Sequence, residues 1–128
     1  MPQREITVLT DAALITCIVQ KGAADAIVRA SRAAGAQGAT VYYAKGSGVR
    51  ERLGVLGVAV EVEKEVISIV VAADQVDAIT EVMYDAGRLD TPGMGFLYVT
   101  PLEMAATYVP PDVLERIRQR TSGRADRA

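Results

Sequence analysis

The sequence contains no histidine, no tryptophan and a single cysteine, Cys17. One cysteine excludes a disulfide framework, and with no histidine it also excludes a zinc site built from two or more Cys or His ligands. The Ser-His-Asp triad and every other use of imidazole as a general acid or base fall with it. Aromatic residues make up only 5% of the chain, too few for the stacking platforms that hold single-stranded nucleic acid. Neither sign of charge dominates: 14 Lys plus Arg stand against 16 Asp plus Glu, so no nucleic-acid partner is implied. No apolar run reaches the roughly 18 residues that cross a bilayer. Met1 to Asp11 carries Glu5 and Asp11 and lacks the basic start and apolar core of a signal peptide. These absences predict a soluble, cytoplasmic domain. What is present is hydrophobic: 50% of 128 residues, enough for one core.

Compared with itself, the chain repeats. A shift of 52 positions lays Leu14-Ile15-Thr16-Cys17-Ile18-Val19 over Val66-Ile67-Ser68-Ile69-Val70-Val71, then Asp25-Ala26-Ile27 over Asp77-Ala78-Ile79, then Ala34-Gly35 over Ala86-Gly87. A second β-rich run follows in each copy, at Thr40-Val41-Tyr42 and at Phe96-Leu97-Tyr98. The short β-branched runs fit buried strands. Between them Ala24, Ile27, Val28, Ser31 and Ala34 recur at helical spacing, as do Val76, Ile79, Met83 and Ala86. Gly35 and Gly87 stand where left-handed C-terminal caps are expected, and Asp74 where an N-cap is. The order βαββαβ predicts an α+β, ferredoxin-like domain: a four-stranded antiparallel sheet with two helices on one face.

The domain is expected over 1–111, with Gly46 to Glu65 as a long connector between the halves. In 112–128, Asp112 to Gln119 reads as one or two helical turns and Thr121 to Ala128 as disordered. Five Arg against three acids give this tail a net charge of +2 and leave −4 on the body; the tail reads as a solvated surface or as a contact for an acidic partner or membrane surface.

Several strings stand out for chemistry. Gly38-Ala39-Thr40-Val41 leads into Lys45-Gly46-Ser47-Gly48, and the second helix is followed by Thr91-Pro92-Gly93-Met94-Gly95-Phe96. A Gly-x-Gly beside a strand permits positive φ and leaves backbone N–H groups open to an anion, or else is simply a tight turn. In order and spacing, from Leu14 to Val109, these strings resemble the PII signalling-protein family, of which the chain looks like a divergent, PII-like member. The resemblance implies a homotrimer with small-molecule sites between subunits. It makes 46–65 the family's T-loop, which reads out the effector and contacts a target protein. Residues matching Gly38, Thr40 and Val70 line the adenine end of the family's nucleotide pocket. Those matching Gly46, Gly48, Gly93 and Gly95 turn N–H groups toward the phosphates, with Ser47 and Met94 inside the same two elements.

The departures from the family pattern are specific. The lysine after the second Gly-x-Gly is Phe96, two arginines beyond the last strand are Thr107 and Val109, and the glutamine that helps hold Mg²⁺ and 2-oxoglutarate is Arg50. Three lost cations weaken a triphosphate site, because charge-assisted contacts are the strong ones. Arg88, Arg50, Arg52 and Lys45 at the end of the second strand are the candidates to replace them, Arg50 and Arg52 also reading as a solvated loop face. The expected effector is therefore AMP, ADP or cyclic AMP in preference to ATP, with bicarbonate or a carboxylate held near Arg50, and no metal. Glu61, Glu63 and Glu65 alternate as a metal-binding strand edge would, but also as any solvated one.

No catalytic residue emerges: Cys17 lies mid-strand and the hydroxyls have no base nearby in sequence. The expectation is a non-enzymatic sensor acting on an unnamed target, such as a membrane transporter or a metabolic enzyme. The alternatives are a constitutive trimeric adaptor and a regulatory module that binds a small molecule other than a nucleotide.

Overall fold

The two runs that the repeat superimposes lie side by side at the centre of one sheet. In the computed structural model, which describes residues 8–46 and 62–126, the elements are β1 (Val8–Leu9), β2 (Ala12–Gln20), α1 (Ala24–Ala33), β3 (Thr40–Gly46), β4 (Val62–Ala72), α2 (Val76–Gly87), β5 (Gly95–Leu102), β6 (Ala105–Ala106) and α3 (Pro111–Asp126). The main sheet has the order β3-β4-β2-β5, and every pairing is antiparallel. Leu14 opposes Val70 and Ile18 opposes Val66, so the duplicated segments are each other's partners. This is the ferredoxin-like α+β sheet expected from the element order.

Period-two alternation assigns the faces. Ile15, Cys17 and Val19 of β2 and Ile67, Ile69 and Val71 of β4 pack with Ile27 of α1 and with Ile79 and Met83 of α2 in one buried cluster. Each large side chain fully buried there contributes about 1.5–3 kcal/mol. Ser31 is buried in α1, and its Oγ donates to the Val28 carbonyl at 2.7 Å, which removes the cost of an unpaired hydroxyl.

The opposite face is open. On it Tyr42, Val66, Ile18 and Phe96 form one cross-strand row, and Thr40, Ser68, Thr16 and Tyr98 the next. Tyr42, Val70, Phe96 and Tyr98 are each 46–55% exposed, and the Phe96 and Tyr98 rings stack with centroids 6.0 Å apart.

The two helix ends differ from the expected pair of glycine caps. Gly35 follows α1 at φ +109, as expected. At the end of α2, however, Gly87 stays helical and Arg88 takes the left-handed position at φ 53, ψ 45. Gly87 answers a packing need instead: a Cβ there would lie 2.9 Å from Ile27 Cδ1, so the missing side chain lets α1 and α2 close together. Asp74 sits within a 3₁₀ turn (Ala73–Gln75), and the side chain of Gln75 accepts from the Ala72 N–H at 3.2 Å. Replacing Arg88 with glycine is expected to stabilise the fold by about 0.5–1 kcal/mol, since glycine tolerates this conformation without steric cost. A thermal melt checks it: the midpoint should rise by a few degrees, and an unchanged or lower midpoint contradicts the assignment.

A second compact unit comprises the segments at the two ends of the chain, described over residues 8–10 and 104–126. In it Val8 and Leu9 pair antiparallel with Ala106 and Ala105. Helix α3 continues past Gln119 to Asp126, further than the sequence predicts, and so covers most of the segment expected to be disordered. No proline interrupts it after Pro111, and Arg116 pairs with Asp112 one turn back at 3.4 Å. No helix among the described residues is long and apolar enough to cross a membrane.

Candidate functional site

Of the residues singled out for ligand binding, one group gathers where β3 begins. Thr40 pairs with Ser68, and continuing that register sets Gly38 opposite Val70. Both are exposed, and nothing lies within 4 Å of where a Gly38 side chain would project. Gly38 and Val70 thus leave an exposed, uncharged surface at one end of the β3–β4 pair.

A second group gathers around the loop between α2 and β5. Left-handed Arg88 turns the chain out of the helix, and the Thr91 N–H donates to the Arg88 carbonyl at 2.9 Å. The Met94 N–H then donates to the Thr91 carbonyl at 3.2 Å. Thr91-Pro92-Gly93-Met94 has Pro and Gly where a type II turn wants them, and Gly93 has the required positive φ of 85°. Gly95 follows at φ +141 and pairs with Val19, entering β5. Arg88, Gly93, Met94 and Gly95 therefore share one loop. The N–H of Met94 is spent in the turn, so that backbone donor faces no anion.

Gly46 behaves differently from the glycines of this loop. It ends β3 in strand pairing with Val62 and lacks the positive φ that the Gly-x-Gly pattern suggests. Ser47, Gly48, Arg50 and Arg52 lie outside the described residues, as does Glu61. The connector is also shorter than expected, since Val62–Glu65 belongs to β4. The alternation of Val62, Glu63, Lys64 and Glu65 is that of a strand, and both acids have partners. The Glu63 carboxylate lies 3.0 Å from Lys21 Nζ, and buried Glu65 accepts the Gly22 N–H. The bond and charge of Lys21 hold the Glu63 carboxyl below its usual range, with Lys45 adding to the effect, and Glu63 raises Lys21 in return. No cluster of three or more metal-ligating side chains occurs among the described residues. Cys17 is fully buried, and loss of hydration pushes its thiol up to about 11.

The two groups do not meet within one chain. Gly95 lies in the row of Val19 and Glu65, and Glu65 is five residues from Val70 on β4, or about 16 Å at the rise of a strand. The loop at Gly95 lies at the Gly46 end but on the far edge of the sheet, three strand spacings or about 14 Å from β3.

A family model described as nitrogen regulatory protein P-II matches residues 12–109. The chain belongs to the PII family. Among curated proteins nothing matches it. Among solved structures, PII of Arabidopsis thaliana bound to citrate shares the fold with a TM-score of 0.60 and 23% identity, covering 73% of this chain and 79% of that one. PII proteins are small regulatory proteins, not enzymes; they bind small ligands, are generally homotrimeric and act on target proteins.

Within this PII fold one short turn, Gln20-Lys21-Gly22, which carries no catalytic-loop signature in the sequence, has a role that the sequence does not announce. It reaches both the Gly93 loop and the start of β4, because the Gln20 side chain donates to the Gly93 carbonyl at 2.6 Å while Lys21 and Gly22 hold Glu63 and Glu65. Only the glycine, at φ +97, marks it in the sequence.

Proposed function

We propose that this PII protein is a non-enzymatic sensor that assembles as a homotrimer, holds an adenine nucleotide between subunits and controls a target protein through residues 47–61. The observation that carries the proposal is the separation of the two groups of site residues. By register Val70 and Gly95 are about 16 Å apart along the strands and two strand spacings apart across the sheet, so one chain does not close both groups around the same mononucleotide. A neighbour that brings its Gly38–Val70 surface against the Gly93–Gly95 loop completes a pocket. The half-exposed Tyr42, Val70, Phe96 and Tyr98 on the helix-free sheet face support such assembly, since large apolar side chains grouped at a surface are normally covered.

The charges suit a short ligand. Arg88 supplies one cation at the loop, whereas Phe96, Thr107 and Val109 offer none, which favours AMP, ADP or cyclic AMP over ATP. A bicarbonate or carboxylate co-effector is assigned to Arg50 and Arg52. The target is of the class of a membrane transporter or a metabolic enzyme.

Sedimentation equilibrium and calorimetry test the reading together. The expected species has three times the 13.6 kDa chain mass, and AMP, ADP or cyclic AMP binds it more tightly than ATP. A monomer overturns the shared-pocket reading. A trimer that takes up none of the four nucleotides overturns the nucleotide and leaves a constitutive adaptor.

A further inference from the structure

Three consecutive residues at the end of β2 hold two otherwise separate pieces of the molecule. Gln20 Nε2 donates to the Gly93 carbonyl at 2.6 Å, across 73 positions of sequence. Lys21 Nζ lies 3.0 Å from the Glu63 carboxylate, and the Gly22 N–H donates to Glu65 Oε1. The grip on Glu65 is the deeper one. Glu65 as a residue is only 7% exposed, and a buried carboxylate deprived of its donor is costly. The grip on Glu63 is a surface pair, with both side chains more than 60% exposed, so salt screens it. Gly22 at φ +97 keeps the turn in a shape that an ordinary residue would strain.

The geometry points to the Gln20–Gly22 turn as the coupling element between the Thr91–Gly95 loop and the start of β4, Val62–Glu65. This rests on the reading of that loop as a ligand site. An anion that re-aims the peptide at Gly93 changes its hydrogen bond to Gln20. The adjoining two residues transmit the change to Glu63 and Glu65, where the chain re-enters the sheet. Coupling of this kind is reciprocal: whatever loosens the Glu65 anchor changes ligand affinity by the same factor as the ligand changes the anchor.

Amide hydrogen exchange on the full chain tests it, with and without ADP, followed at residues 62–66 and 91–95. Gln20→Glu keeps the shape of the side chain and removes its donor. In the absence of ADP, Gln20→Glu is expected to speed exchange about tenfold at 91–95 and also at 62–66, as loss of one hydrogen bond allows. In the unmodified chain ADP should slow exchange at both segments. In Gln20→Glu it should slow exchange at 91–95 alone. Lys21→Ala should weaken the response at 62–66 in low salt, and Lys21→Arg should restore it. A ligand-free effect of Gln20→Glu confined to 91–95 overturns the coupling, as does an ADP response at 62–66 that survives the substitution. If ADP changes neither segment of the unmodified chain, the nucleotide reading fails, while the ligand-free comparison still decides whether the turn couples them.

Discussion

Replacement of Gly95 by alanine is expected to cost about 3 kcal/mol or more and to lower the thermal midpoint by about 10–20 °C. Two effects add at this residue. Its φ of +141 lies where a side chain is strained, and an added Cβ would overlap the Ile18 carbonyl oxygen and come within 3.0 Å of Val19 Cα. Both neighbours are backbone of β2, which is clamped on its other side by β4. They cannot swing aside as the end of a side chain would. The collision is relieved only by parting the first pairs of the β2–β5 ladder, which also moves the ligand loop. A melt of Gly95→Ala within about 2 °C of the unmodified protein would show that the loop adjusts freely and that its glycine is kept for some other reason.

The second large effect is a gain. Phe96→Lys places a cation directly after Gly95, at the position where the family pattern has lysine, and is expected to raise ATP affinity about tenfold or more. AMP, with no phosphate reaching that far, serves as the internal control and should change little. The substitution removes the stacking of Phe96 on Tyr98, worth about 0.5–1.5 kcal/mol, so stability falls modestly while ATP binding improves. Calorimetric titration of both nucleotides into the variant measures the difference. Equal, unchanged affinities in an intact assembly would mean that a terminal phosphate does not sit beside residue 96.

Much of the architecture is visible in the amino-acid pattern because the pattern is local and occurs twice. Leu14 to Val19 and Val66 to Val71 declare themselves as strands by β-branching. The burial of Ile27, Ile79 and Met83 follows from their spacing on their helices. What stays hidden depends on distant partners. Glu65 looks like one acid in an alternating solvated row, and nothing nearby reveals that the Gly22 N–H, 43 positions away, draws it inward. Gly87 looks like a cap, and only the arrival of Ile27 from α1 shows that it is a packing notch. The two-residue ladder of Val8–Leu9 with Ala105–Ala106 is too short to leave a periodic trace. The site is legible as a set of residues, through the two Gly-x-Gly strings and Thr40. Its division between opposite ends of the sheet is not, because that depends on the strand order and register that local strings do not encode.

The burial of Cys17 has a practical consequence. It is the chain's one thiol, sealed in the core and protonated well above neutral pH. A cysteine introduced at Gln37 or Asp90, both exposed, would therefore be the sole reactive handle for a fluorophore or spin label. The native residue would not first have to be engineered away. Each subunit of an assembly would then carry one reporter at a known address, and the spacing between identical labels would read out how the copies are arranged.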